Sequence, residues 1–462
     1  MEGAPAMESR YQRRKEQLLA GCQVPPTLFR GVMSRLESFA QPFVSSLPSP
    51  ESRTHSRTSL AGLLSDVERK NAESIAYRYD RDRQVIQRFV GEGDWDHDPL
   101  IGELTRPVAR AIGRPDAVLG FDPSAFPKRG TASVGVQRQW GGRLGKVENC
   151  QVGVFLGSVS DDDPALVDVR LYLPREWAQD RKRRQKAGVP KDVKYRTRHE
   201  LALEMLQRHG GALPPGGVAG DDEMGRPAGF RKQLALDGGH SLLAVPSNTT
   251  VRDLAEPPPP YGGHGRRPKA PFRGVQAWCA ARPAGAWTKL TVRDGEKGPL
   301  EVEILARRVE SKIDRRVVGF EETLVVVRYT DGGVLKHDYH LSNAAPGTPL
   351  SEFARVAKAS PRIEECLKRS KSEAGLGEYQ VRNWRGWHHP MTLSLIATWF
   401  LVVEAGRGAK DSPGADGAAG ADGPGANPAP SQPVRHAEPG GAGADAPAGA
   451  ERVGAVLPLQ DA

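Results

Sequence analysis

No stretch of this chain approaches the roughly 20 consecutive apolar residues that a membrane helix needs. Its longest apolar run, Leu393 to Val403, has the length of a buried helix. The segment Met1 to Arg14 is polar and holds no hydrophobic signal region, so the chain is expected in the cytoplasm, away from membranes. Cysteine is scarce: Cys22, Cys150, Cys279 and Cys366 stand far apart and form no C-x-x-C pair. That spacing argues against a structural zinc site and against a disulfide framework, and leaves reduced, mostly buried thiols. Internal repeats are absent as well.

What is present is the composition of an ordinary globular protein, 462 residues with 38% hydrophobic and 26% charged side chains, long enough for two or three domains. The net charge is +9. From Gly406 onward there are four Lys/Arg against seven Asp/Glu. This tail is acidic by three, so residues 1–405 carry +12. A basic body favours a polyanionic partner through counterion release, although mildly basic proteins without such a partner are common.

Residues 1–25 read as disordered, and 26–114 read as a helical N-terminal DNA-binding domain. Within that domain, Leu60 to Tyr77 and Leu100 to Ile112 carry apolar residues at helical spacing. The texture changes at Ala117. Ala117 to Asp122 predicts a buried strand ending in a carboxylate, and Gln151 to Gly157 and Leu166 to Leu173 predict two more strands. Thr197 to His209 predicts a helix, and Gly217 to Asp221 a short strand again ending in a carboxylate. Phe230 to Leu236 reads as helix and Ser241 to Val245 as strand, so the fold class is α/β. After the Pro/Gly-rich break at 257–269, four segments between Trp287 and Leu341 alternate like antiparallel strands. They give a β-rich insertion over about 250–345 within a domain spanning 115–405. Ser351 to Glu404 turns helical. The tail, 406–462, is Gly/Ala/Pro-rich and reads as disordered.

Two-metal phosphodiester chemistry needs carboxylates that hold ions roughly 3.5–4 Å apart. Hard divalent cations take oxygen ligands and keep several waters. Such a site reduces to two or three Asp/Glu residues far apart in sequence, so context has to identify them. Three blocks supply the context. The first runs from Phe121-Asp122-Pro-Ser-Ala-Phe-Pro-Lys-Arg-Gly130 through Ser133 to Val152. The second is Val218-Ala-Gly-Asp-Asp-Glu-Met-Gly-Arg226, leading to Phe230-Arg and Leu243-Ala-Val-Pro-Ser-Asn. The third is Arg362-Ile-Glu-Glu-Cys-Leu-Lys-Arg-Ser-Lys371, followed by 375–389. On a helix Glu364, Lys368 and Lys371 share one face.

In this order, over about Leu60 to Val403, the blocks resemble the catalytic blocks of DDE transposases of bacterial insertion sequences. Asp122 and Ser124 match that family's Asp-x-Thr/Ser element. Pro123 stands where many relatives have a second Asp, which favours Asp122 as the ligand. Counting back from Gly225 gives Asp221, with Asp222 as the alternative. The Ile-Glu followed by Lys of the family's last signature falls on Glu364 and Lys371. The Tyr and Arg that some relatives carry upstream are absent, with Ala357 and Ser360 standing near those places. The resemblance implies a ribonuclease H-like catalytic core with a β insertion. It implies that Asp122, Asp221 and Glu364 act as catalytic metal ligands for Mg²⁺, with Mn²⁺ as a substitute. It further implies cut-and-paste strand cleavage and strand transfer on double-stranded DNA, terminal repeats and target alike, by a homodimer in the DNA complex, associated with the nucleoid. The alternatives are a decayed relative that binds DNA without cutting, a ribonuclease H-like nuclease without strand transfer, and a non-enzymatic scaffold.

Lys128, Lys146, Arg226, Lys368 and Lys371 are candidate phosphate contacts, with solvated surface charge as the bland reading of the first three. Arg183 and Arg184 lie in a basic run, Arg181 to Arg198, that suits a DNA-tracking surface or a solvated loop. Tyr379, Arg382 and Trp387 combine aromatic and basic character, which suits gripping distorted DNA ends or packing between a helix and a loop. His388 and His389 are adjacent and point to different helix faces, which speaks against a shared metal. Glu365 is expected to face solvent, and Asp161 to Asp163 to form a loop.

Overall fold

The computed structural model describes residues 30–410 apart from 143–144, 162, 296–297 and 314–317. The segment 1–25 and the tail beyond Lys410 lie outside the described residues, as does Cys22.

Helices α1 (Val32–Ser45), α2 (Pro50–Leu63), α3 (Ala72–Arg78), α4 (Arg83–Gly91) and α5 (Asp98–Ile112) come first. Ser49 caps α2 by accepting from the Ser52 amide, with Pro50 at the first helical position, where its missing N–H costs nothing. The continuous helix expected over Leu60 to Tyr77 is broken. α2 ends at Leu63, and Asn71 starts α3 by accepting from the Ser74 amide. Between them the Ser65 hydroxyl donates to the Gly62 carbonyl, and the buried Lys70 ammonium donates to the Ser65 carbonyl. Side-chain bonds of this kind compete with helix, and apolar periodicity does not register them.

Strands β1 (Val118–Pro127), β2 (Gln137–Gly141), β3 (Lys146–Ser160) and β4 (Asp163–Tyr172) follow, then helices α6 (Arg175–Gln179), α7 (Arg181–Lys186) and α8 (Arg198–His209). A capping box between Thr197 and Glu200 starts α8. Next come β5 (Gly217–Gly220), α9 (Asp222–Gly225), α10 (Ala228–Leu236) and β6 (Ser241–Ala244). The insertion holds β7 (Thr250–Asp253), β8 (Arg273–Gly274), α11 (Val275–Ala280), β9 (Thr288–Gly295), β10 (Gly298–Lys312), β11 (Val318–Asp331) and β12 (Val334–Ser342). Helices α12 (Leu350–Ala357), α13 (Ala359–Glu373) and α14 (Trp384–Lys410) end the described chain. α14 thus runs a few residues into what the sequence reads as tail.

The strands form one mixed sheet in the order β2-β3-β1-β5-β6-β12-β11-β10-β7-β8, with β4 also on β3 and β9 also on β10. β1 is antiparallel to β3 and parallel to β5, and β5 is parallel to β6. From Cys150 to Ser160 every residue of β3 is buried, as expected for a strand covered on both faces. One apolar cluster joins α1 to α5, the sheet, α13 and α14. The insertion adds a second core around Trp278, Val309 and Leu341. Alternation along β11 divides the two: Leu324 and Val326 belong to the insertion's core, Val325 and Val327 to the main one. Cys150, Cys279 and Cys366 are buried free thiols. Among the described residues no helix is long and apolar enough to cross a membrane.

A histidine group locks α14 to the N-terminal helices. His388 and His389 are buried, the His389 ring stacks on Trp95 with centroids 3.6 Å apart, and His388 lies 4.3 Å from the His97 ring. Burial, then the charge of Arg170, pushes His97 down to about 3. Burial pushes His389 down to about 4, although its ring faces the Trp95 and Val90 carbonyls, which pull the other way. These imidazoles stay neutral in the fold and take a proton once unfolded below the ordinary value of 6.5. Their contribution to stability is therefore complete above that value and is lost as pH falls toward 4 and 3. From about pH 7 to about pH 4 the change in Tm of wild type should be more unfavourable than that of His97→Asn, by on the order of 5 °C. The same pH dependence of Tm in the two proteins would contradict neutral burial of His97.

Candidate active site

β1 and β5 run parallel with Phe121 paired to Gly220, so the next residues of each, Asp122 and Asp221, emerge side by side. The strand expected to stop at Asp122 continues to Pro127, because β3 goes on pairing along its other edge. On the β5 side β1 is unpaired beyond Phe121, and Pro123 fits such a half-open edge. Asp221 accepts from the Met224 amide at 3.0 Å and so caps α9. Pro214, Pro215 and Gly216 lead into β5, which is buried throughout. A Cβ on Gly217 would stand 2.9 Å from the Val356 side chain, so the bare backbone is what lets α12 lie against the strand.

Glu364 is brought in from α13 by a similar device. Gly120 on β1 and Gly157 on β3 face each other in register. Ile363 fills the space above both, its Cδ1 atom 2.2 Å from where a Gly120 Cβ would be and its Cγ1 2.9 Å from that of Gly157. The neighbouring Glu364 is thereby placed over the sheet. Gly120→Ala should cost about 1–3 kcal/mol by overpacking and lower activity further by lifting Glu364. Adding Ile363→Ala should restore part of both, as read by melting and by cleavage. Equal activity in wild type and Gly120→Ala would show that this contact positions nothing.

Asp122, Asp221 and Glu364 line one cavity of about 1560 Å³, together with Ser124, Lys368 and Lys371. Burial, then the charges of Asp221 and Glu364, pushes Asp122 up to about 7, with Lys371 pulling it back. Burial also pushes Asp221 up to about 7, against the Met224 hydrogen bond and reinforced by Glu223, Asp222 and Glu364. Glu364 is raised by burial and by Asp338 of β12. The site therefore holds more negative charge than its cations offset. Its donors are all hard oxygens, the set that suits a divalent ion such as Mg²⁺. Among the described residues no three His, Cys, Asp or Glu side chains are gathered closely enough to hold a metal ion between them.

The other residues named from sequence separate into two groups. Lys368 is exposed on the cavity wall. Lys371 donates to the Ser124 hydroxyl at 2.5 Å and lies 4.9 Å from the Phe126 ring centre. Arg226 is exposed and paired with Asp222, and Lys146 is exposed and paired with Glu148. Arg382 is also exposed. Glu365 is exposed, as expected, and paired with Arg362. The second group makes its contacts within the protein. Tyr379 and Trp387 are buried: the tyrosine hydroxyl donates to Gln151 Oε1 at 2.9 Å and accepts from the Trp387 indole at 3.0 Å. Lys128 caps that cluster, donating to the Tyr379 carbonyl with its ammonium 3.6 Å from the ring centre, and burial lowers it to about 8. Arg184 spends its donors on the carbonyls of Ala178, Pro190 and Val193. Arg183 stacks on Trp177 and donates to the Thr131 carbonyl.

Glu223 and Trp140, which sequence reasoning passed over, also line the cavity, as does Arg198 from the end of the basic run. Arg198 pairs with Glu223 Oε1 and donates to Gln139 Oε1 at 3.0 Å. Glu223 Oε2 is buried without a hydrogen-bond partner among the described residues. The acidic run 221–223 was the available signal, but only the fold shows that its third carboxylate turns toward α8.

Residues 42–299 match the sequence model of a family described as DDE superfamily endonuclease, a span that includes Asp122 and Asp221 and stops short of Glu364. A probable transposase for insertion sequence element IS701 of Microchaete diplosiphon is 32% identical over 154 residues, 32% of this chain and 36% of that protein. The chain thus spans about a third of the length of this curated relative. The piggyBac transposase in a synaptic complex with hairpin DNA, seen by cryo-EM, aligns over 84% of this chain and 77% of its own at 11% identity, with a TM-score of 0.36. At that distance no detail transfers.

Proposed function

Because this chain belongs to the DDE superfamily of endonucleases, we propose that it is a transposase that cleaves double-stranded DNA at the ends of an insertion sequence and joins them to target DNA. The observation that carries this reading is the register that sets Asp122 beside Asp221 over a cavity that Glu364 also lines. The core order β3-β1-β5-β6, with its single antiparallel pairing, supports a ribonuclease H-like reading of the catalytic domain.

In this reading Asp122, Asp221 and Glu364 hold two Mg²⁺ ions, or Mn²⁺ in their place. Bound there, such ions supply the positive charge that favours loss of a proton from the attacking hydroxyl and steadies the departing oxygen. Asp221 keeps one oxygen on the Met224 amide, which fixes its carboxylate and leaves the other oxygen for the ligand. Lys368, one turn beyond Glu364, meets the phosphate, and Lys371, held by Ser124, sets the charge beside Asp122. The 3′ hydroxyl freed by cleavage attacks the target in the same cavity, with no covalent enzyme intermediate. Two ends are brought together by a homodimer.

The test is incubation with a labelled duplex carrying the terminal repeat of the parent element, a plasmid target and Mg²⁺, beside Glu364→Gln. Cleavage at the repeat boundary and joining to the plasmid, both lost in the variant, are expected. Binding without cleavage would identify a DNA-binding relative that has lost its chemistry, and cleavage without joining a nuclease.

A further inference from the structure

α3 and α4 form a two-helix unit to which the cleavage chemistry gives no task. The turn between them, Tyr79 to Asp82, is held by specific bonds. Asp80 takes a left-handed conformation, φ 47°, which brings the chain round sharply, and the Arg81 amide donates to the Ala76 carbonyl at 2.8 Å. Asp82 then starts α4 by accepting from the Gln84 amide at 2.7 Å. Near the far end the Trp95 indole donates to the Phe89 carbonyl at 3.0 Å. Ile75 and Ala76 of α3 and Ile86 and Phe89 of α4 are buried, so the second helix is held by one face and leaves the other to solvent. That outer face carries Gln84, Gln87 and Arg88, one stripe at i, i+3 and i+4, all exposed. α4 has no acidic residue, whereas a face that serves solubility alone usually mixes both signs. Gln84, Gln87 and Arg88 also line a groove of about 820 Å³ together with Arg69 and Arg382, both exposed.

Two helices joined by a turn of roughly 3–4 residues, the second turning polar side chains outward, make the unit that sets a helix into the major groove of DNA. The side chains on this stripe are those that read base edges there: Gln pairs with adenine at N6 and N7, and Arg with guanine at O6 and N7. We propose that α3 and α4 are a helix-turn-helix, and that α4 reads base sequence in the major groove through Gln84, Gln87 and Arg88 while Arg69 and Arg382 hold the phosphates alongside. This rests on the reading of DNA as the substrate, and names the part of the chain that tells one duplex sequence from another. Phe89 stacks on Trp95, and Trp95 on His389 of α14, which ties the reading helix to the apolar core that also holds β1, β5 and α13. A sequence bound at α4 is thereby set in a fixed relation to the carboxylates.

The test measures binding of the full chain, with Ca²⁺ in place of Mg²⁺, to a labelled duplex carrying the terminal repeat of the parent element and to a shuffled duplex of the same composition. Wild type should prefer the repeat by on the order of a thousandfold. Methylation of guanine N7 within the repeat, which alters the major groove alone, should weaken that binding. Gln84→Ala, Gln87→Ala and Arg88→Ala should each lose about tenfold in affinity for the repeat while binding the shuffled duplex nearly as wild type does. Arg69→Ala should weaken both duplexes alike. Because these side chains are exposed, the variants should melt at the wild-type temperature. A preference for the repeat that survives the three α4 substitutions made together, an equal loss on both duplexes, or indifference to N7 methylation would overturn base reading by α4. Wild type that binds both duplexes equally would overturn it too, and leave the DNA reading standing. No binding to either duplex would overturn the DNA reading and this inference together.

Discussion

Asp122→Asn should melt at a higher temperature than wild type in metal-free buffer at neutral pH, while losing DNA cleavage by on the order of a thousandfold or more. Both effects come from the same crowding. Asp122 is recessed beside Asp221 and Glu364, and burial with their charges opposes its ionisation. An amide of the same shape removes one of the like charges and keeps the packing, so the fold gains. The same change removes an anionic oxygen from the set proposed to hold the ions, and the several kcal/mol of transition-state stabilisation they supply go with it. Mg²⁺ adds a second reading. Binding to the folded state alone stabilises by about 2.7 kcal/mol at a hundred times Kd, so wild type should gain several degrees in Tm. Asp122→Asn should gain less. If Asp122→Asn melts lower than wild type without metal, the carboxylates do not repel one another as described.

Glu322→Ala should be among the most damaging single changes for stability, costing about 3–5 kcal/mol. Arg231 of α10 and Glu322 of β11 form an ion pair almost wholly out of solvent, joined through two bonds of 2.8 and 3.1 Å. The same guanidinium donates to the carbonyls of Gly225 and Arg226 and to the Ser311 hydroxyl. Removing the carboxylate leaves a buried cation that the carbonyls cannot neutralise, and it loosens the turn just after Asp221. Chemical denaturation should show the loss directly. Arg231→Met combined with Glu322→Leu should be more stable than Glu322→Ala, since apolar pairs often replace buried ion pairs without loss. A Glu322→Ala protein of wild-type stability would mean that water reaches the pair.

Much of the frame was legible because it rests on local patterns. The buried strand before Asp122, the antiparallel strands of the insertion and the helix carrying Glu364, Lys368 and Lys371 follow from alternation, apolar runs and helical spacing. What was hidden depends on register and on tertiary hydrogen bonds. That Gly120 faces Gly157, and that Ile363 fits above them, cannot be read without knowing which strands pair. Tyr379 and Trp387 present the same mixture of aromatic and polar neighbours whether they grip DNA or pack a loop. Only the bonds to Gln151 and the cover provided by Lys128 decide for packing. Pro and Gly lower strand propensity at the start of β5, yet Gly217 is what allows α12 to approach. The pairing of Arg198 with Glu223 escaped because a charge pair between α8 and α9 leaves no trace in either segment alone.

The most direct test of the central claim is Mn²⁺ binding to the full-length protein without DNA, followed by electron paramagnetic resonance. It should be carried out on wild type, Asp122→Asn, Asp221→Asn, Asp222→Asn and Glu364→Gln. Wild type and Asp222→Asn should bind alike, and each of the other three should bind far more weakly. If Asp221→Asn binds as wild type does while Asp222→Asn does not, or if all four variants retain the ion, then Asp122, Asp221 and Glu364 do not form one metal site.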